Sequence, residues 1–123
     1  MNLVTFEIAK KLKEKGFDYP CVGHYVNNQL YIAHYQNAFH SDKDESIDAP
    51  TTSQVLKWLR EEKDIDLVIN PVFFYDDDLG KMREYGCKVF APSLNKPEHC
   101  GYHEEWEQAS LAGIEYVLDN LIG

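Results

Sequence analysis

The chain has 123 residues, 44% hydrophobic and 13% aromatic, with 21 acidic against 12 basic side chains and a net charge of −9. That apolar share excludes a disordered chain and fits one domain spanning 1–123. A net negative field repels phosphate, so no nucleic-acid partner is expected, and no apolar run is long enough to span a membrane.

The first helix is expected from Val4 to Lys15, with Phe6, Ile8, Ala9 and Leu12 on one side. Lys10, Lys11, Lys13 and Lys15 read as a solvated face that complements the C-terminal dipole. Gly16 is the expected left-handed stop, with Phe17 folding back on the last turn. Cys21 to Tyr35 reads as a β-hairpin turning at Asn27-Asn28. In that register Tyr25 faces Leu30 and Gly23 faces Ile32 on the core side, while His24 faces Tyr31 on the other. Gln36 to Pro50 is expected to be a polar loop.

Thr51 to Gln54 then spells a capping box, opening a second helix over Thr52–Lys63 with Val55, Leu56, Trp58 and Leu59 inward. Asp66 to Tyr75 is a strand, with Pro71 calling for an edge position or a bulge. After Asp76-Asp77-Asp78-Leu79-Gly80 the chain either returns as a strand from Met82 to Ala91 or forms a short helix at Asp78–Tyr85 before a crossover strand. The short length available favours the hairpin. Pro92 to Gly101 is expected to be a loop, and Tyr102 to Leu121 the last helix, acidic in its first turns. The resulting order is α-β-β-α-β-β-α: an α+β fold with a four-stranded, mainly antiparallel sheet and three helices packed on one face.

Three stretches carry a resemblance: Val4 through Asp18, Ala49 through Glu61, and Tyr102 through Ile122. Together they are similar to a group of small uncharacterised α+β proteins of gut Bacteroidales bacteria and their phages and mobile elements. The resemblance implies a compact α+β domain. It brings no assigned activity and no catalytic residues, and Asp76 to His99 lies outside it.

Chemistry has few footholds. Cys100, His103 and Glu107 are the candidate metal ligands, because His99, His103 and Glu107 recur every fourth residue and would stack on one helix face. Gly101 argues against that face if it starts the helix, and neither HExxH nor CxxC is present. Cys21 could face His34 across the first hairpin, with no third group to orient the pair. Asp76 to Gly80 fails the calcium-loop spacing, and no glycine pattern suits a phosphate, so no cofactor is expected. His24, Tyr31 and Tyr35 are the candidate protein-binding residues, since tyrosine offers wide contact with a polar tip. Three cysteines without a pairing pattern suit a reducing, cytoplasmic setting. The expected function is therefore a non-enzymatic accessory or protein-interaction domain of bacterial or phage origin, meeting another protein or a second copy. The alternative is a metal-dependent or thiol enzyme built on Cys100, His103 and Glu107.

Overall fold

Thr5 opens helix α1 (Phe6–Glu14) by accepting a 3.3 Å hydrogen bond from the Ile8 backbone N–H. The computed structural model describes residues 2–32 and 46–122. Ile8, Ala9 and Leu12 are buried, as their spacing predicts. Gly16 takes φ +89°, and the Phe17 N–H returns to the Leu12 carbonyl at 3.0 Å. That turn delivers the Phe17 ring edge-on to Trp58, 5.3 Å between centroids.

Strands β1 (Gly23–Val26) and β2 (Gln29–Ile32) form the expected hairpin in the expected register, with Asn27 and Asn28 both left-handed. Its core face is half covered. The Tyr25 hydroxyl donates to the Val4 carbonyl at 2.8 Å, and Gly23 is buried where a Cβ would stand 2.9 Å from a Leu3 methyl. Leu30 and Ile32, on the same face of β2, stay exposed.

A third strand, β3 (Ser46–Ala49), corrects the end of the polar loop expected over 36–50; the rest of that loop, 36–45, lies outside the described residues. β3 pairs antiparallel with β1, setting Gly23 opposite Ala49 and Tyr25 opposite Ile47, so the sheet order is β2-β1-β3. Only Ile47 and Ala49 hint at alternation in this segment. The open edge of β1 makes it a strand.

Helix α2 (Thr52–Glu62) starts at the capping box. Thr51 Oγ1 accepts from the Gln54 N–H at 3.1 Å, and Gln54 Oε1 accepts from the Thr51 N–H at 2.9 Å. Gln54 Nε2 also donates to the Pro20 carbonyl at 2.9 Å, and the Thr52 N–H to the Asn2 carbonyl at 2.9 Å. The cap therefore ties three distant segments together.

The chain then forms a long antiparallel hairpin, β4 (Asp66–Asp76) and β5 (Gly80–Phe90), rather than a helix and crossover. Asp76 Oδ1 accepts from the Asp78 and Leu79 backbone N–H groups at 2.8 and 3.0 Å, and Gly80 supplies φ +80°. Pro71 sits on the edge strand β4, where its missing N–H is tolerated.

The loop expected over Pro92–Gly101 and the start of the last helix are both corrected by β6 (Glu98–His103), which pairs with β5 in the order β4-β5-β6. Gly101 has φ +115° and sits in a bulge of that pairing; it does not start a helix. Helix α3 (Trp106–Asn120) begins at Trp106 rather than Tyr102.

The α+β class holds, but the single four-stranded sheet does not: the described residues form two three-stranded antiparallel sheets. Nor do the three helices share one face. α1 packs on β3 and α3; α3 lies across β4, β5 and β6; α2 touches β4 and α3. One core cluster joins Ile8, Leu12, Val55, Trp58, Val89, Ile114 and Val117.

α3 comes close to its sheet at Gly113. A Cβ there would stand 2.9 and 3.0 Å from the two Leu67 methyls and closer still to Cys87 Sγ. Gly113→Ala is expected to destabilise the fold by about 1–3 kcal/mol through overpacking, read as a lower urea midpoint; an unchanged midpoint would mean that α3 stands farther from the sheet.

Candidate functional site

The strand lengths create the main exposed surface. Helix α3 has 15 residues, about 22 Å at ~1.5 Å per residue, while each strand of the β4–β5 hairpin has 11, about 37 Å at ~3.4 Å per residue. No orientation of α3 can cover the whole hairpin. It covers the proximal part, where Leu67 and Cys87 meet Gly113. The distal part projects as an arm on which Phe73 is 58% exposed, Phe74 41%, Tyr75 77% and Leu79 71%.

Strand alternation sorts the arm into two faces. Phe73 pairs with Arg83 and Tyr75 with Lys81, all on the face whose proximal end meets α3. There the Lys81 ammonium lies 5.2 Å from the Phe73 centroid, and the Arg83 guanidinium lies 5.3 Å from that of Tyr85. Val72, Phe74, Glu84 and Tyr102 frame a shallow depression of about 210 Å³ on the opposite face. Beside it the His99 and Tyr102 rings, 4.5 Å apart, lean over Gly86, where a Cβ would stand 3.3 Å from each. Aromatic cover of a strand glycine is a known way to firm such a position. The depression is open and shallow, unlike the enclosed cleft an enzyme uses on a small substrate.

The first hairpin places its candidates differently. His24 lies between Tyr31 on β2 and Asp48 on β3, with the His24 and Tyr31 rings stacked at 5.7 Å. Tyr31 is 48% exposed, and its hydroxyl donates to Gln29 Oε1 at 3.2 Å. Tyr35 and His34 lie outside the described residues. The exposed Leu30, Tyr31 and Ile32 run directly into that stretch, whereas the arm is described on both faces.

Cys100, His103 and Glu107 do not stack on one helix. Cys100 and His103 belong to β6, and Glu107 to the first turn of α3. Among the described residues no three His, Cys, Asp or Glu side chains are grouped to hold a metal ion. The Cys21 thiol is buried and donates to the Tyr19 carbonyl. Burial, with Asp48 nearby, pushes it up to about 12, the opposite of an activated nucleophile.

The lysine face of α1 is engaged within the molecule more than the solvated reading implied. Lys11 Nζ reaches Glu115 at 3.1 Å and Asp119 at 3.0 Å on α3, and Lys13 Nζ donates to the Ser46 carbonyl. Hydrogen bonds to Asp119 and Glu115 raise the Lys11 ammonium above its ordinary value.

Sequence reasoning missed the arm. Its signal was Val72-Phe73-Phe74-Tyr75, four consecutive apolar residues on an edge strand. Without alternation such a run puts aromatics on both faces, and a sheet covered on one side can bury only one of them. No family model matches the chain, and neither a curated protein nor a solved structure matches it.

In the native protein Cys21 is expected to resist iodoacetamide at every pH below about 9 and to react fully once urea unfolds the chain. Rapid native labelling at pH 7 would show an activated thiol instead. Protein purified without an affinity tag is expected to hold zinc, iron and manganese far below one ion per chain by elemental analysis.

Proposed function

We propose that this domain is a non-enzymatic accessory module of bacterial or phage origin that works by protein contact, with a second copy of the chain as the occupant of the β4–β5 arm. The observation that carries the reading is the charge order along the arm's aromatic face. Asp76, Asp77 and Asp78 stand at the tip; Lys81 and Arg83 follow, beside Phe73 and Tyr75. Two arms laid antiparallel about a two-fold axis bring each acidic tip to the other's cations, with the rings between them. Such a contact is self-complementary, as two-fold association requires. The net charge of −9 and the tip aspartates disfavour nucleic acid as the occupant. Free thiols at Cys21, Cys87 and Cys100 support a cytoplasmic setting.

Size sets the strength. The distal ladder from Pro71–Tyr85 to Asp76–Gly80 is a strip about 20 Å long and two strands wide. Its area is well under the roughly 800 Å² per partner of a standard interface. The association is therefore weak and concentration-dependent.

Sedimentation velocity on the full chain, up to about 1 mM, is expected to show a monomer–dimer equilibrium. Phe73→Ser with Tyr75→Ser should keep the protein monomeric, with an unchanged circular dichroism spectrum. Two charge variants sharpen the test: Asp77→Lys with Asp78→Lys, and Lys81→Glu with Arg83→Glu. Each alone should self-associate less, and their mixture should recover association. A wild type that stays monomeric throughout, or a serine variant that dimerises equally well, overturns the reading.

A further inference from the structure

Cys87 and Cys100 lie side by side where β5 and β6 pair irregularly. The ladder sets Gly86 opposite Tyr102 and Lys88 opposite His99, which leaves Cys87 alone against Cys100 and Gly101. Two residues against one is a β-bulge, and Gly101 supplies its φ of +115°. Both thiols sit on the α3 side of the sheet. Cys87 Sγ fills the space over Gly113, and Cys100 packs against the core. Each thiol acts on the other's proton affinity: Cys100 raises that of Cys87, and Cys87 lowers that of Cys100. Neighbouring strands run about 4.7–4.9 Å apart, inside the roughly 4.4–6.8 Å Cα span that a disulfide bridges.

We infer that the Cys87–Cys100 pair is an oxidation site, where a hydroperoxide joins the two thiols in a disulfide that fastens β6 to β5. Cys100 is half-buried and Cys87 fully buried, so the oxidant meets Cys100 first. The Cys100 thiolate attacks one oxygen of hydrogen peroxide. The O–O bond breaks, hydroxide leaves, and Cys100 becomes a sulfenic acid. The Cys87 sulfur then attacks the Cys100 sulfur; the S–S bond forms, the S–O bond breaks, and hydroxide leaves again. The two thiol protons end on the departing hydroxides. Two thiols and one hydrogen peroxide thus give one disulfide and two waters, the sulfurs being oxidised and the peroxide oxygens reduced.

Surroundings set the pace. Burial raises the Cys100 thiol; the neighbouring Cys87 thiol lowers it, and Glu98 on β6 raises it further. Tyr116 of α3, hydrogen-bonded to Glu98, faces the same site, and burial pushes the Cys87 thiol up to about 12. Thiolate is scarce at neutral pH, so the pair answers sustained rather than brief oxidant, and faster as pH rises.

The test exposes the full native chain to hydrogen peroxide, blocks remaining thiols with iodoacetamide, and maps the digest by mass spectrometry. The expected product is a peptide pair containing Cys87 and Cys100, lighter by two hydrogen atoms and separated by dithiothreitol, with Cys21 still reduced. In Cys87→Ala, Cys100 should stop as a sulfenic acid that dimedone traps. Cys100 reaching sulfinic acid in the wild type without linking to Cys87, or linkage through Cys21, overturns the inference.

Discussion

The absence of a side chain at Gly113 sets the geometry of half the molecule. It lets α3 settle onto its sheet with Leu67 and Cys87 filling the space a Cβ would need. From that seat Ile114, Val117 and Leu118 reach the common core with Val89. Tyr116 reaches Glu98 on β6 and donates to its carboxylate. On another side of the helix Glu115 and Asp119 meet Lys11 of α1. One close helix–sheet contact thus links the second sheet to the helix that rests on β3 of the first. A close-packed core is sensitive to displacement of this kind because interiors have little spare volume.

The same contact determines what stays bare. α3 covers only the stretch of hairpin its length allows, and the β4–β5 ladder continues past it without interruption. The arm holds its shape through backbone pairing and a tightly bonded turn at Asp76, without a core beneath it. Lys81 and Arg83, stacked on Phe73 and Tyr85, shield part of the aromatic surface with their alkyl stems while leaving the charged heads in water. Exposed aromatics on a rigid ladder form a contact surface that needs little ordering before it is used.

Legibility followed local chemistry. Thr51 and Gln54, Asn27 and Asn28, Gly16, and the Asp76–Gly80 turn were all readable, because each depends on residues within a few positions of itself. β3 and β6 were not. Ser46-Ile47-Asp48-Ala49 and Glu98-His99-Cys100-Gly101-Tyr102-His103 have weak strand character, and both become strands by completing the open edges of β1 and β5. Reading 98–101 as loop and 102–103 as helix also set His103 and Glu107 on an imagined helical face. It hid the true neighbour of Cys100, which is Cys87 across the ladder.

By itself the sequence determined the three helices in outline, both hairpins, the register of the first, and the α+β class, because caps, turns and hydrophobic periodicity act over a few residues. Only the tertiary structure decided that six described strands divide into two sheets, that the arm outruns its covering helix, and that Cys87 meets Cys100. Those outcomes depend on which edge is left open, how long one element is beside another, and how closely a glycine lets two surfaces meet. Each is a relation between parts distant in the chain, and no local pattern encodes it.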